Sequence, residues 1–209
     1  MRRSACRGPL AALAVAAVVG LAGCATTPPE SVPESPERAW QGHWMAVAAI
    51  ANWEMSGRVA VRTEEDGGRV QLHWVQEGPA YKLVLNGPFG SGEVTMVGDE
   101  DGATITGADD QGYHHPDAAF LLEAYTGYAI PVDALVYWVR GIPAPGLEVH
   151  RELDRHGRLA QLEQGPWTVE YEEYQKVDGE YLPVRLRAEG PGMALQLAVH
   201  DWHRSGGGG

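Results

Sequence analysis

The residues WEMSGRVAVRTEEDGGRVQLHW, numbers 53–74 of a 209-residue chain, decide the fold. Apolar and polar side chains alternate along both halves, with apolar residues at Trp53, Met55, Val59 and Val61, then at Val70, Leu72 and Trp74. A period of two places alternate side chains on one face of a β-strand. Residues 65–68 (EDGG), between the halves, are typical of a hairpin turn. The stretch therefore predicts two antiparallel strands that share one apolar face.

The strand pattern continues towards the C-terminus and is interrupted once. Further strands are predicted at Tyr81–Leu85, Val94–Met96 and Ala103–Thr106, and after the interruption at Leu147–Leu153, Arg158–Gln164, Trp167–Tyr174, Leu182–Ala188 and Met193–Val199. Ten short strands interrupted by helices predict a mainly β fold. The expected architecture is one curved antiparallel sheet or barrel, with helices covering one opening.

Three helices are predicted. Residues 38–51 precede the first strand, and their helical spacing places four apolar residues on one face: Trp40, Trp44, Val47 and Ala51. The interruption between the two groups of strands contains the other two helices, at Ala118–Tyr125 and between Pro131 and Gly141. Gly127 and Gly141 are typical helix stops.

Residues 1–23 have the features of an export signal. Three arginines precede an apolar run from Pro9 to Ala22, which is shorter than the roughly 20 residues of a membrane-spanning helix. The run ends in LAGC (21–24), the motif that precedes a lipid-modified cysteine in bacterial lipoproteins. An ordinary secretory signal with a chance cysteine is the alternative. We predict that Cys24 is acylated and becomes the first residue of the mature chain.

The acylated cysteine sets the expected domain boundaries and location. Residues 24–37 contain four prolines among Glu and Ser, which predicts an extended tether. Residues 38–203 are expected to form the folded domain, and residues 204–209 a flexible tail. Ala25 follows the cysteine, where an aspartate would favour retention in the inner membrane. We therefore expect a protein that is lipid-anchored on the periplasmic face of the outer membrane.

The composition is acidic. The formal net charge is −12, and it is nearer −15 once the three arginines of the export signal are removed. Nucleic-acid binding relies on cationic contacts with phosphate, and docking on anionic headgroups relies on a basic patch. The net charge therefore argues against both kinds of partner. Most carboxylates are interpreted as solubilising, although some could face a basic partner.

No pattern of residues indicates catalysis or metal binding. The glycine-rich segment Gly87–Gly92 matches neither a dinucleotide fingerprint nor a P-loop, and its serine lacks the spacing of a nucleophile elbow. His114 and His115 are adjacent, so they would point to opposite faces of a strand. His200 and His203 lack the glutamate of a zinc motif. We therefore expect a protein that is not an enzyme and that has no metal or cofactor.

Large apolar side chains on the predicted inward faces leave two possibilities open. These residues are Trp53, Met55, Trp74, Met96, Trp138, Trp167 and Tyr171. A close-packed core is the usual arrangement of such residues, whereas a curved sheet under a helical lid can leave a cavity that binds acyl chains. The pattern of residues alone does not separate core from cavity.

Residues 53–202 resemble the family of the outer-membrane lipoprotein receptor LolB. The segments that carry the resemblance are SGRVAV (56–61), HWVQ (73–76), LNGPFGS (85–91), TGYAIP (126–131), YWVRGIP (137–143) and WTVEY (167–171). Their order and spacing, together with the cysteine motif, make the match. The resemblance implies an unclosed antiparallel barrel of about eleven strands, with an α-helical lid and an apolar cavity.

The resemblance also implies a function. A receptor of this family accepts acylated lipoproteins from the periplasmic carrier LolA and inserts them into outer-membrane phospholipid without ATP, and we expect a monomer. The candidate acyl-chain cavity residues are Trp53, Met55, Trp74, Leu83, Met96, Leu135, Trp138, Trp167, Tyr171, Leu186, Leu195 and Leu197. Another lipid-binding lipoprotein of the same fold is one alternative, and a cell-envelope hydrolase is a second.

The loop after the third strand is expected to insert into the membrane. The family carries an exposed apolar residue there, in a turn similar to Asn-Pro-Leu-Gly, and this sequence has Phe89 between Pro88 and Gly90. The extra Gly87 and the aromatic side chain depart from the family pattern. A residue that merely covers the edge of the barrel is the alternative interpretation of Phe89.

Overall fold

The computed structural model describes residues 31–87 and 92–204. The helices are α1 (Pro36–Ala48), α2 (Ala118–Thr126) and α3 (Val132–Trp138). The strands before α2 are β1 (Asn52–Thr63), β2 (Gly67–Glu77), β3 (Ala80–Gly87), β4 (Gly92–Asp99), β5 (Gly102–Thr106) and β6 (Gly112–His115). The strands after α3 are β7 (His150–Leu153), β8 (Leu159–Gln164), β9 (Trp167–Val177), β10 (Glu180–Gly190) and β11 (Met193–Arg204).

All eleven described strands form one antiparallel sheet, in the order β6-β5-β4-β3-β2-β1-β11-β10-β9-β8-β7. Two meanders are therefore joined where the first strand pairs with the last, and Val59 lies opposite Leu197 at that junction. The edge strands β6 and β7 do not pair with each other, so the barrel is unclosed. The predicted fold class, with ten to eleven strands and helices over one side, is confirmed.

Helices α2 and α3 lie in the connection between the two edge strands of the sheet. The Asp117 side chain accepts a hydrogen bond from the Phe120 amide at 2.9 Å and caps the start of α2. Gly127 ends α2 with φ 79°, and its amide donates to the Glu123 carbonyl. The predicted start and stop of this helix are confirmed.

Helix α1 differs from its prediction in two of the four face residues. Trp40 and Val47, which are two turns apart, are buried where the helix packs against β10 and β7. Trp44 is 44 % exposed, so its prediction as an inward residue is wrong. It lies at the border of a stripe that is narrower than the spacing suggested. The helix also ends at Ala48, so Ala51 lies outside it and is exposed.

Strand β6 is the strand that the sequence pattern did not predict. Its residues, GYHH, are exposed or half-buried, and it pairs only with β5 at one edge of the sheet. Such a strand has no apolar face, and therefore no alternation of apolar and polar residues.

Several sequence predictions fall outside the described residues. They are the export signal at residues 1–23, the acylated Cys24, the loop residues Pro88, Phe89 and Gly90, and the glycines of the tail. No helix among the described residues is long and apolar enough to cross a membrane.

Candidate functional site

An apolar cavity lies between the sheet and the two helices α2 and α3. Strands β1, β2, β3, β10 and β11 form its floor, and α2, α3 and the residues that follow each helix form its roof. The lining residues are Val59, Val61, Val70, Leu72, Trp74, Leu83, Leu85, Leu122, Thr126, Tyr128, Ile130, Val132, Leu135, Val139, Leu186, Leu195 and Leu197. The cavity therefore lies where the two meanders of the sheet meet.

Among the described residues, the lining contains no carboxylate, cation, histidine or cysteine. Thr126 is polar, but its hydroxyl donates to the Leu122 carbonyl at 2.7 Å and accepts from the Tyr128 amide at 3.2 Å. These bonds lie within the helix end and leave an apolar surface towards the cavity. Such a surface favours hydrocarbon, and the phenol of Tyr128 is the one ionisable group among the described lining residues.

The cavity is small in this structure, with a volume of about 70 Å³. Small-molecule sites usually occupy roughly 300–1,000 Å³. A lipid chain therefore requires the roof to move away from the sheet.

Six of the twelve residues predicted for an acyl-chain cavity line this cavity: Trp74, Leu83, Leu135, Leu186, Leu195 and Leu197. The other six are buried but do not line it: Trp53, Met55, Met96, Trp138, Trp167 and Tyr171. Burial raises the pKa of the Tyr171 phenol, and its hydroxyl has no hydrogen-bond partner among the described residues.

Large aromatic rings close the core beside the cavity. The ring of Trp53 lies 5.2 Å from that of Trp74 and 5.4 Å from that of Trp202, measured between centroids. A second pair, Trp138 and Trp167, is separated by 6.0 Å. Rings of this size fill space, and the cavity remains where the side chains are mostly valine and leucine.

Eleven lining residues were not predicted as cavity residues: Val59, Val61, Val70, Leu72, Leu85, Leu122, Thr126, Tyr128, Ile130, Val132 and Val139. The strand residues among them occupy apolar positions of the alternating pattern, on the same face as Trp74. That alternation was therefore the signal for them. The largest inward side chains lie mainly in the close-packed part of the core, so a prediction based on size misses these smaller lining residues.

Arg140 attaches the end of α3 to the connection between α1 and β1. The guanidinium Nη1 donates to the Ile50 carbonyl at 3.0 Å, and Nε donates to the Val136 carbonyl at 2.9 Å. Arg140 is buried, which lowers the pKa of its guanidinium, and among the described residues no carboxylate lies within ion-pair distance. Its charge faces the carbonyl end of a helix, which favours a cation.

Gln164 makes a second buried attachment next to α3. Its side-chain oxygen accepts from Trp138 Nε1 at 2.9 Å and from the Ala144 amide at 2.8 Å. Its side-chain nitrogen donates to the Ala144 carbonyl at 2.9 Å. Arg140 and Gln164 therefore hold the end of α3 and the chain after it, whereas α2 packs against β5, β6 and α3.

The loop predicted to enter the membrane lies between β3 and β4. Its residues 88–91 are outside the described part of the chain, but the strand ends Gly87 and Gly92 pair with each other. Gly87 follows Asn86, which pairs with Gln71 on β2. The loop therefore leaves the sheet at the same end as the β1–β2 turn, residues 64–66.

The histidines singled out in the sequence lie apart from the cavity. His114 Nδ1 is 3.2 Å from the Thr104 hydroxyl, and His115 Nδ1 accepts from the Asp117 amide at 3.0 Å. Both contacts belong to the edge of the sheet and the start of α2. Within residues 31–87 and 92–204, no three His, Cys, Asp or Glu side chains are grouped as metal ligands.

Comparisons with known proteins agree with this architecture. The family model described as "Outer membrane lipoprotein LolB" matches residues 51–202. The chain is 37 % identical to the outer-membrane lipoprotein LolB of Alkalilimnicola ehrlichii over 197 residues, which cover 94 % of this chain and 97 % of the relative. It is 35 % identical to that of Stutzerimonas stutzeri over 184 residues, covering 87 % and 89 %.

A solved structure supports the fold alone. The crystal structure of a LolA-superfamily protein from Nitrosomonas europaea matches with a TM-score of 0.51 and 10 % identity, covering 85 % of this chain and 95 % of that one. Together, the comparisons confirm the resemblance found in the sequence, the predicted outer-membrane location, and a lipoprotein transport protein rather than an enzyme. The chain belongs to the LolB family of outer-membrane lipoproteins.

Proposed function

We propose that this protein is the outer-membrane receptor that accepts lipoproteins from the periplasmic carrier LolA and inserts them into the membrane. Their acyl chains would occupy the cavity beneath α2 and α3. The observation that carries this proposal is the lining, which is apolar on every side and contains no ionisable group except the phenol of Tyr128. A site of this character recognises hydrocarbon and performs no chemistry on it.

The energetics suit transfer without ATP. Each methylene kept out of water contributes about 0.8 kcal/mol. A chain therefore moves from a weaker cavity to a stronger one and then to the bilayer, provided that it is not exposed to water between them. The direction of transfer depends on differences in binding free energy between carrier, receptor and membrane.

The closed state of the cavity implies a gating step. Because its volume is about 70 Å³, acyl chains bind only after the roof is displaced. We expect α2 and residues 127–131 to move, since Arg140 and Gln164 hold the end of α3. Opening the roof costs the apolar contacts between its side chains and the sheet. An acyl chain that takes the place of the roof side chains restores contacts of the same kind.

A transfer assay tests the proposal. LolA loaded with a labelled lipoprotein is mixed with the mature, anchor-free chain, residues 24–209 with Cys24→Ala. Liposomes are then added, and the label is followed through both steps. The whole buried core lies between Trp40 and Trp202, so this chain retains it. We expect label to pass to the chain and then to the liposomes.

A charged substitution inside the cavity provides the matched comparison. Leu85→Glu places a carboxylate in the lining, and Val97→Glu places one on β4 at a residue that is 44 % exposed. We expect Leu85→Glu to accept lipoprotein at least about tenfold more slowly, because burying an unpaired charge is costly. Equal acceptance by both variants would contradict the proposed cavity. Binding without onward transfer would indicate a different lipid-binding lipoprotein.

The membrane step has its own test. Phe89→Glu should leave the protein folded and able to receive lipoprotein, but should slow release into liposomes, because a carboxylate enters lipid less readily than an apolar side chain does. Release at the wild-type rate would contradict the role of Phe89.

A Cys24→Ala form kept in the periplasm should retain partial activity. Complete loss would show that the anchor matters more than Phe89.

A further inference from the structure

Arginines cluster on the outer face of the sheet, on the side opposite the cavity. Arg58 and Arg62 on β1 and Arg69 on β2 are exposed, and they alternate with residues that point into the core. Arg185 and Arg187 on β10 extend the same face. The whole chain has 16 lysines and arginines, three of them in the export signal. Five of the remaining thirteen therefore lie on one face of three strands.

The strand register brings the first three arginines together. Ala60 pairs with Arg69, Arg58 pairs with Gln71, and Arg62 pairs with Gly67, so Arg69 is the diagonal neighbour of both arginines on β1. Diagonal neighbours lie about 7–8 Å apart, within reach of long side chains. The side chain between them is only the methyl group of Ala60, and the three arginines border depressions of the surface that Ala60 also lines.

Small residues make this surface concave. Ala60, Gly67, Gly68 and Ala194, with Arg62, Arg69 and Arg187, line an open trough of about 530 Å³. A second depression of about 330 Å³, with Arg58 and Arg185, shares Ala60, Arg69 and Gln196 with the first. We call this surface, from Arg58 and Arg69 to Arg185 and Arg187, the arginine trough.

Three of the five cations in the arginine trough have no acidic partner in the part of the chain that the structure describes. Arg185 pairs with Glu172 and Glu173, and Arg187 pairs with Glu189. No carboxylate among the described residues is ion-paired with Arg58, Arg62 or Arg69. Exposed guanidinium groups that converge without partners form a site for an oxyanion, since each offers paired N–H donors to phosphate.

The position of the arginine trough selects among sources of phosphate. Arg62, Gly67 and Arg69 lie at the end of the sheet from which the β1–β2 turn and the β3–β4 loop leave, since Asn86 pairs with Gln71. This is the end that the proposed function places against the membrane through Phe89. We infer that the arginine trough binds the phosphate groups of phospholipids at the membrane surface. This inference rests on the proposed function only for that orientation.

The net charge of the chain did not indicate this basic surface. A chain with a charge near −15 argued against a basic patch, but strand alternation and register collect the arginines on one face. Residues 64–66 carry three carboxylates at the adjacent turn and reduce the attraction. We therefore expect the arginine trough to orient the protein at the membrane and to bind anionic headgroups moderately.

Vesicle co-flotation tests the inference. The anchor-free chain is compared with the triple variant Arg58→Gln, Arg62→Gln, Arg69→Gln. The vesicles contain phosphatidylcholine with or without about 30 mol% of an anionic phospholipid, in about 0.1 M salt, where the Debye length is about 10 Å. Wild-type binding should rise with anionic lipid and fall with added salt. The triple variant should bind the anionic vesicles about tenfold more weakly, because each arginine near a charged surface contributes to binding.

A second triple variant, Arg38→Gln, Lys82→Gln, Lys176→Gln, controls for net charge, because it removes three exposed cations outside the arginine trough. It should bind nearly as the wild type does. Equal losses in both triple variants, or none in the first, would overturn the inference. The inference would also be overturned if the first triple variant bound vesicles normally but no longer accepted lipoprotein from LolA. That result would assign the arginine trough to a protein partner.

A second readout separates this inference from the proposed function. Binding of a fluorescent fatty acid reports on the cavity, which lies on the other face of the sheet. The first triple variant should bind this probe as the wild type does. If the wild type binds vesicles through the arginines but binds no fatty acid, the proposed function fails and the arginine trough stands. A urea titration confirms that both triple variants remain folded.

Discussion

Replacing Arg140 by methionine tests how the roof of the cavity is fixed. The change keeps an unbranched apolar stem but removes both guanidinium hydrogen bonds, at 3.0 Å to the Ile50 carbonyl and 2.9 Å to the Val136 carbonyl. Methionine fills the same space without donating, so the two carbonyl oxygens lose their partners. The end of α3 would then be held only by packing and by the hydrogen bonds of Gln164.

The expected loss follows from these two carbonyls. A buried acceptor left without a partner costs about 1–3 kcal/mol. The Ile50 bond is fully buried, whereas the Val136 bond is partly buried, so the second carbonyl lies at the low end of that range. Removing a buried cation recovers part of the loss, because burial already lowers the pKa of this guanidinium. We expect the free energy of unfolding to fall by about 2–3 kcal/mol.

Urea unfolding of the anchor-free chain measures this difference. Arg140→Lys should be intermediate, because one ammonium group cannot occupy the positions of both Nη1 and Nε. Arg38→Met, on the exposed face of α1, is the matched control and should change stability by less than about 0.5 kcal/mol. If Arg140→Met is as stable as the wild type, the hydrogen bonds only balance the cost of burying the charge, and Arg140 does not fix the roof.

Three further predictions concern the sheet and α1. Gly57→Ala should destabilise the protein by about 2 kcal/mol, since its Cβ would lie 2.5 Å from a backbone oxygen of β11. Gly42→Ala is the control, because open space surrounds that position, and it should be neutral or stabilising. Urea unfolding compares the two variants. Gln164→Leu should cost about 3 kcal/mol or more by the same measurement, because three buried hydrogen bonds are lost. Burial, and then the Arg158 charge, lower the pKa of His43 to about 4, so the unfolded chain binds the proton more readily below about pH 6.5. Stability should therefore fall by up to about 3 kcal/mol between pH 6.5 and 4, and His43→Leu should remove that part of the pH dependence; an unchanged pH profile would contradict it.

Alternation was sufficient to predict most of the strands. Val59, Val70 and Leu197 point inward as their periodicity predicts, because a two-sided sheet with one apolar face requires a period of two. Strand β6 escaped prediction because edge strands need no apolar face. Trp44 was placed inward because helical spacing identifies a stripe but not its width, which depends on the surface against which the helix packs.

The candidate cavity was half predictable, for a physical reason. Sequence patterns indicate which side chains face inward, and Trp53 and Trp138 do so. Sequence patterns do not indicate where inward side chains leave a gap between them, which is where a cavity forms. Large rings stack and close their part of the core, so the cavity lies beside them, over smaller residues such as Val61 and Val70. The arginine trough depends in the same way on register, which brings Arg69 next to Arg58.

Photo-crosslinking tests the central claim most directly. A lipoprotein whose acyl chains carry a diazirine is transferred from LolA to the anchor-free chain, the sample is illuminated, and the labelled residues are identified by mass spectrometry. The cavity account predicts labels on its floor and roof, at residues such as Leu85, Leu122 and Leu197. Labels confined to the outer face of the sheet, or to the exposed Phe120 on α2, would contradict it.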